Sequence, residues 1–355
     1  VNFWPPWIVS FYLHIIKLVI AVFSSILVII WTIIGAGFAS GQEIFTFFNV
    51  YGSWGFLGLF VAEVLIGFIV YKALVIIIDN NISTYPNFVS IVMTNCKFAN
   101  SVICYVVNIF LLISFVVMCA GFSAYFSQEF GLPSVFGSFI ICILSFFTFL
   151  KNINGLIKIN VIFIPILIVI ILILGFKNLS CFENFHLVGT IFSLKWFVKA
   201  LMYASYNLII VLPILISLKK YVSTTKQAKI VATEVTLFLL VMAIILFILL
   251  DFYYDDIKTL ELPIIYIAGI CGTIYKYLCG FILLVAIFTT ALSSGYGFLN
   301  DFSLKSRKNY ILLAFTICSI AFFLSKIGFS YLLNLLYPIL GILRINTGDF
   351  YFLFS

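Results

Sequence analysis

The chain has 355 residues, 65% of them hydrophobic and only 9% charged, with 42 phenylalanines. A soluble domain carries about 25% charged residues, so the composition excludes a water-soluble globule and requires a polytopic membrane protein. The net charge of +7 does not point to a nucleic-acid partner, because the basic residues fall in short loops between apolar stretches, as membrane topology demands.

One crossing needs about 20 apolar residues. Hydropathy places spans at 17–48, 53–78, 101–127, 132–150, 156–176, 193–218, 228–252, 263–298, 310–328 and 330–343. The expectation is an all-α fold of about ten transmembrane helices, a single transmembrane domain over 1–355, embedded in the lipid bilayer with no room for a soluble domain. The first and eighth spans are long enough to be tilted or broken. Val1–Trp7 has no basic stretch and no small-residue cleavage site, so no cleavable leader is expected. With the N-terminus inside, thirteen of the nineteen Lys and Arg residues fall on the cytoplasmic side, among them Lys219, Lys220, Lys226 and Lys229. The other side carries Asp251, Asp255, Asp256 and Glu261. This bias predicts a plasma (inner) membrane protein with both termini in the cytoplasm.

Within the first span, Trp31–Phe48 reads WTIIGAGFASGQEIFTFF. Glycine in a helix interior costs about 1 kcal/mol relative to alanine, and a charge at the bilayer centre costs roughly 2.5–3.5 kcal/mol on insertion scales. A plain lipid anchor has no use for either. The pattern predicts a helix that breaks at Gly35-Ala36-Gly37 and resumes at Phe38, its freed backbone groups lining a cavity. The competing reading is a close helix crossing, since Gly37 and Gly41 are four apart.

Ten spans divide into two sets of five, approximately 17–176 and 193–343. An odd set must insert in opposite orientations, so inverted repeats would carry corresponding interruptions in spans one and six. Span six holds the polar island Tyr203-Ala204-Ser205-Tyr206-Asn207, with Pro213 two turns on. A second break is expected there. Tyr and Ser within membrane bundles also bond to neighbouring helices, which is the plainer reading.

The eight cysteines form no CxxC pair and most lie inside spans, so they read as small hydrophobes and not as a disulfide or metal framework. No prosthetic group is expected. Gly121-Phe122-Ser123-Ala124 superficially resembles a serine-hydrolase motif, but His14 and His186 fall near opposite membrane faces. No Ser–His dyad is reachable, and the chain is not expected to be an enzyme. A channel would need a filter ring, and no repeated filter sequence is seen. Glu63 and Glu234 stand within apolar spans, where a partner lysine or a cavity is expected.

The stretch IIGAGFASGQEIFTFF, followed by YGSWGFLG, resembles the YkvI-type bacterial membrane proteins of the amino acid–polyamine–organocation superfamily, across roughly residues 17–343. YASYN in span six and TTALSSGYG in span eight fit the same resemblance. It implies the leucine-transporter fold, with five plus five inverted helices and helices one and six broken at the midplane. After Gly341 the sequence ILRINTGDFYFLFS turns polar where the tenth helix of that family would continue. The resemblance also implies a secondary active transporter taking up an amino acid or similar zwitterion. Germinant-receptor subunits of spore formers resemble the same superfamily, so a non-transporting ligand sensor is the alternative.

In proteins of this fold the unwound first helix offers backbone N–H groups to a substrate carboxylate. Carried over, the donors are Gly35, Ala36 and Gly37. Tyr203, Ser205 and Asn207 hold the other polar end, and Phe38 and Phe115 are apolar walls. Ala286-Ile287-Phe288-Thr289-Thr290 resembles the sodium site of sodium-coupled carriers, whose ligands here would be carbonyls of Trp31, Ile34 and Ala286 with the hydroxyls of Thr289 and Thr290. Five oxygens suit a hard cation, although such hydroxyls also bond back to the i−4 carbonyl. Proton coupling is the rival, with Lys158 as its carrier or as a snorkelling surface lysine. Glu43 is read either as a gate or proton carrier, or as a solvated residue near the outer surface.

Overall fold

A computed structural model describes residues 21–92, 97–150, 156–179, 193–301 and 306–334, which are helices joined by short turns with no strand among them. The start of the first span, the tenth span beyond residue 334, both histidines and the side chain of Lys158 lie outside the described residues. Six described stretches are long and apolar enough to cross a membrane, and three shorter apolar helices accompany them. The chain is thus an all-α, multi-pass membrane protein.

The first two spans give α1 (Ala21–Ile33), α2 (Ala36–Ala39), α3 (Gln42–Phe47) and α4 (Gly52–Asp79). Then come α5 (Tyr85–Val92), α6 (Lys97–Phe130), α7 (Ser134–Phe149) and α8 (Leu156–Lys177). The second half holds α9 (Lys195–Leu218), α10 (Thr225–Phe252), α11 (Tyr254–Ile257), α12 (Pro263–Cys271), α13 (Thr273–Asp301) and α14 (Arg307–Leu324).

The first span breaks, one residue earlier than the glycines suggested. Its last ladder bond runs from Ile34 N–H to Ile30 O at 2.8 Å, and the next from Ala39 N–H to Gly35 O at 3.1 Å. The helix resumes at Ala36, not Phe38. A second interruption follows at Ser40-Gly41, where Gly41 adopts φ +79, a left-handed conformation that favours glycine. Ser40 holds this corner: its hydroxyl donates to Gly37 O at 2.8 Å, and its carbonyl accepts Ile264 N–H from α12 at 3.2 Å.

Span six departs from expectation, since α9 runs unbroken from Lys195 to Leu218 through Tyr203–Asn207. The polar side chains there support their own helix: Ser205 donates to Leu201 O at 2.8 Å and Asn207 to Tyr203 O at 3.0 Å. With no glycine in the island, nothing relaxes the backbone. Span eight is the divided one, cut into α12 and α13 at Gly272, whose φ is +134.

Two groups of helices form. One packs α4 against α9 and α10, and the other packs α6 against α7 and α13, with α8 also on α13. The broken first span joins them, since α2 rests on α13 while α3 rests on α9 and α10. Large apolar side chains are exposed around the outside, including Phe139 and Phe147 on α7, Phe281 on α13, and Leu312 and Phe315 on α14. So much exposed apolar surface has no place in water and is the face a helix turns to lipid.

Where α6 and α10 end, polar contacts tie the turns together. Gln128 donates to Leu262 O at 3.1 Å and accepts Leu262 N–H at 3.0 Å. Lys276 pairs with Glu129 at 2.8 Å. Glu261, in the turn ahead of α12, accepts Phe329 N–H at 3.0 Å.

Candidate functional site

The break opens on a cavity of about 430 Å³. Its walls come from α1 (Val28, Trp31, Thr32), the break itself (Ile34, Gly35, Ala36, Gly37), α6 (Phe110, Ser114, Met118), α9 (Tyr206, Asn207, Ile210) and α13 (Ala286, Thr290, Ser294). The amides of Gly35, Ala36, Gly37 and Phe38 make no ladder bond to the preceding turn. For the same reason the carbonyls of Trp31 and Ile34 have left the ladder. Irregular backbone at membrane depth is tolerated where it faces a cavity or is buried in protein, and here it faces the cavity.

Glu43 lines the same cavity and is 6% exposed. It is not a solvated surface residue, because the left-handed turn at Gly41 folds the start of α3 back over the break. Tyr206 Oη donates to its Oε2 at 2.7 Å. The carboxylate lies against Gly37, where an added Cβ would overlap Oε1 and Cδ. Among the described lining residues Glu43 is the one carboxylate, and there is no lysine or arginine. Across the cavity the hydroxyls of Ser114 and Ser294 are paired at 3.0 Å.

Other residues proposed from the sequence fall elsewhere. Tyr203 is fully buried in a cluster of rings, with centroids 5.0 Å from Phe48, 5.6 Å from Phe47 and 5.3 Å from Tyr206. Ser205 is not in the cavity wall and bonds back along α9. Phe38 is buried outside the wall. Phe115 packs against Phe149 at 5.8 Å between centroids, and both rings lie against Gly295, Phe149 the closer. Glu63 does not line the cavity, and both its carboxylate oxygens lack a hydrogen-bond partner among the described residues. Glu234 is exposed on α10. Neither glutamate pairs with a lysine among the described residues.

The oxygens suggested for sodium divide. Trp31, Ile34, Ala286 and Thr290 all border the cavity. Thr289 does not, and its hydroxyl donates to Val285 O at 2.9 Å and Ala286 O at 3.1 Å. Thr290 also donates to Ala286 O, at 2.8 Å, which spends its proton and leaves its lone pairs. Carbonyl and hydroxyl oxygens are the ligands a hard cation takes.

Sequence reasoning passed over Tyr206 and the Ser114–Ser294 pair. Tyr206 stood in the polar island of span six, three residues beyond Tyr203, a spacing that puts both near one helix face. Only the packing tells which ring meets the cavity. Nothing in the sequence paired Ser114 with Ser294.

These features define an all-α membrane protein whose first span is broken around a central cavity. No family model matches the chain. It is similar to the uncharacterised membrane protein YkvI of Bacillus subtilis (strain 168), 25% identical over 326 residues, covering 88% of this chain and 90% of that protein. It is likewise similar to the uncharacterised protein YyaD of the same organism, 26% identical over 331 residues, covering 90% and 92%. Among solved structures, a Na⁺-coupled sialic acid symporter in a substrate-bound, outward-open state aligns with a TM-score of 0.46 at 14% identity, covering 92% of this chain and 84% of that one.

Proposed function

We propose that the chain is a secondary active transporter that moves a small amine-bearing solute, an amino acid or a close relative, by alternating access around the break in its first helix. The observation that carries this reading is the break itself, whose unladdered residues line the cavity. Tyr206, which lines that cavity, belongs to a ring cluster with Phe47, Phe48 and Tyr203. The cavity walls lie toward the N-terminal half of α6 and the C-terminal halves of α9 and α13. With both termini in the cytoplasm of the cell membrane, the cavity belongs to the inward side and the ring cluster to the outward barrier. The grouping of α4 with α9 and α10 sets early helices of the two halves together, which supports reading 17–176 and 193–343 as an inverted repeat.

Sodium is the coupling ion in this proposal. Trp31 and Ile34 carbonyls with Ala286 O and the Thr290 hydroxyl would hold it, and its inward gradient would drive movement of the solute bound at the neighbouring break.

The test is uptake of radiolabelled amino acids and amines into proteoliposomes, with and without an inward sodium gradient. Uptake that needs sodium is expected. Uptake driven by a pH gradient alone would replace sodium by protons and turn attention to Glu43 and Lys158. Solute binding without any uptake would overturn the carrier in favour of a sensor.

A further inference from the structure

We propose that the solute held in this cavity is an organic ammonium with no carboxylate of its own, and that Glu43 is its counter-charge. The inference rests on the cavity being the solute site of a transporter, and it narrows the cargo of that site.

Three observations converge. First, the place beside the break that a solute carboxylate would seek already holds a carboxylate of the chain. Gly37 has no room for even a methyl group because Glu43 Oε1 and Cδ lie there. A second carboxylate at that place would meet a like charge at close range, and like charges sharing a site disfavour each other. Second, the Glu43 carboxyl group has no cationic partner among the described residues. Tyr206 Oη is its side-chain donor at 2.7 Å, and no lysine or arginine occurs among the described residues of the wall. A charge buried away from water needs a partner, and a solute ammonium supplies one. Third, the rest of the wall suits an apolar body with one polar end. Phe110, Met118, Leu167 and Ile210 are apolar, and the hydroxyls of Ser114 and Ser294 are already paired to each other. An ammonium brings three donors and no acceptor. Carboxylate oxygens and freed carbonyls can receive them. A volume of about 430 Å³ lies in the range of small-ligand pockets.

Isoamylamine and phenethylamine are the matched probes, because each is leucine or phenylalanine without its carboxylate. Binding is measured on the full chain in lipid nanodiscs by thermal shift and by competition. The amines are expected to bind at least about tenfold tighter than their amino acids, and Glu43→Gln is expected to weaken amine binding by about the same factor. Glu234→Gln, on the exposed face of α10, is the control and leaves binding unchanged.

Leucine binding as well as isoamylamine would overturn the proposal. So would the absence of binding by either amine, or an unaltered amine affinity in Glu43→Gln. Stabilisation by sodium alone that disappears in Glu43→Gln, without amine binding, would assign Glu43 to the coupling ion instead. The ratio of amine to amino acid in the unaltered chain decides the question even if Glu43→Gln does not fold. Selective amine binding without uptake would sink the transporter reading and leave the ligand class standing. Sodium-driven uptake of leucine with no amine preference would do the reverse.

Discussion

Replacing Gly37 by alanine puts a methyl group where the Glu43 carboxylate lies. The new Cβ would overlap Oε1 and Cδ and stand 2.8 Å from Cγ. Those atoms end a flexible side chain, so the carboxylate moves and the backbone of α2 stays. In moving, it gives up the 2.7 Å bond from Tyr206. A hydrogen bond to a charged group contributes about 1.5–3 kcal/mol. Alanine returns up to about 1 kcal/mol of helix preference, so the net loss should be about 0.5–2 kcal/mol. Tyr206→Phe removes the same bond from its other end. The two substitutions therefore should not add: the double variant should be more stable than the sum of the singles predicts, by about 1 kcal/mol or more. The cycle can be measured by reversible unfolding of the full chain in mixed detergent micelles. Additivity to within about 0.3–0.5 kcal/mol would show that Gly37 and Tyr206 do not act through a common carboxylate, and the account of the site would fail with it.

Three further outcomes are open to measurement. Thr290→Ala should weaken the sodium dependence of uptake or binding, since Thr290 borders the cavity beside Ala286; an unchanged sodium dependence would remove Thr290 from the ion site. Gly41→Ala forces a side chain into φ +79 and brings its Cβ to 3.0 Å from Ile264 Cγ1, so it should destabilise by about 1–2 kcal/mol. A melting temperature equal to that of the parent would contradict the corner at Ser40-Gly41. Burial raises the Glu261 carboxyl above its ordinary 4.5, against the opposing bond from Phe329 N–H. The folded protein therefore holds this proton more tightly than the unfolded chain. The resulting stability is present below about pH 4.5 and is lost as pH rises through the raised folded value. Glu261→Gln should flatten that fall, and a melting profile as steep as the parent's would show that another group is responsible.

The break in the first span was legible because glycine and charge are costly in a membrane helix, and Gly35, Gly37 and Glu43 sit within nine residues. Its consequence for Glu43 was not. Counting along a straight half-helix from Phe38 carries Glu43 away from the break, whereas Gly41 turns the chain and brings it back. A left-handed residue inside an apolar run leaves no trace in hydropathy. The polar island of span six misled in the opposite sense. Ser205 and Asn207 look like groups in search of a ligand, yet each finds an acceptor four residues back in its own helix. Thr289 and Thr290 share that local habit, and one of them still borders the cavity. Side-chain type showed which stretch is special, while rotation about the helix axis, fixed only by packing, chose the residues that face inward.

A carboxylate set at membrane depth gives the site an electrical asymmetry. With Glu43 ionised, the empty protein carries a negative charge through each switch of access, while a site filled by one monovalent cation carries none. A potential of 100 mV does at most about 2.3 kcal/mol of work on one elementary charge crossing the whole field. In a cell whose interior is negative, that work falls on the empty return and drives the vacant site outward. A sodium ion bound in addition would place its own charge on the loaded stroke. The membrane voltage would then reset the protein after each delivery, and the rate of that reset would rise with polarisation even when no solute gradient is present.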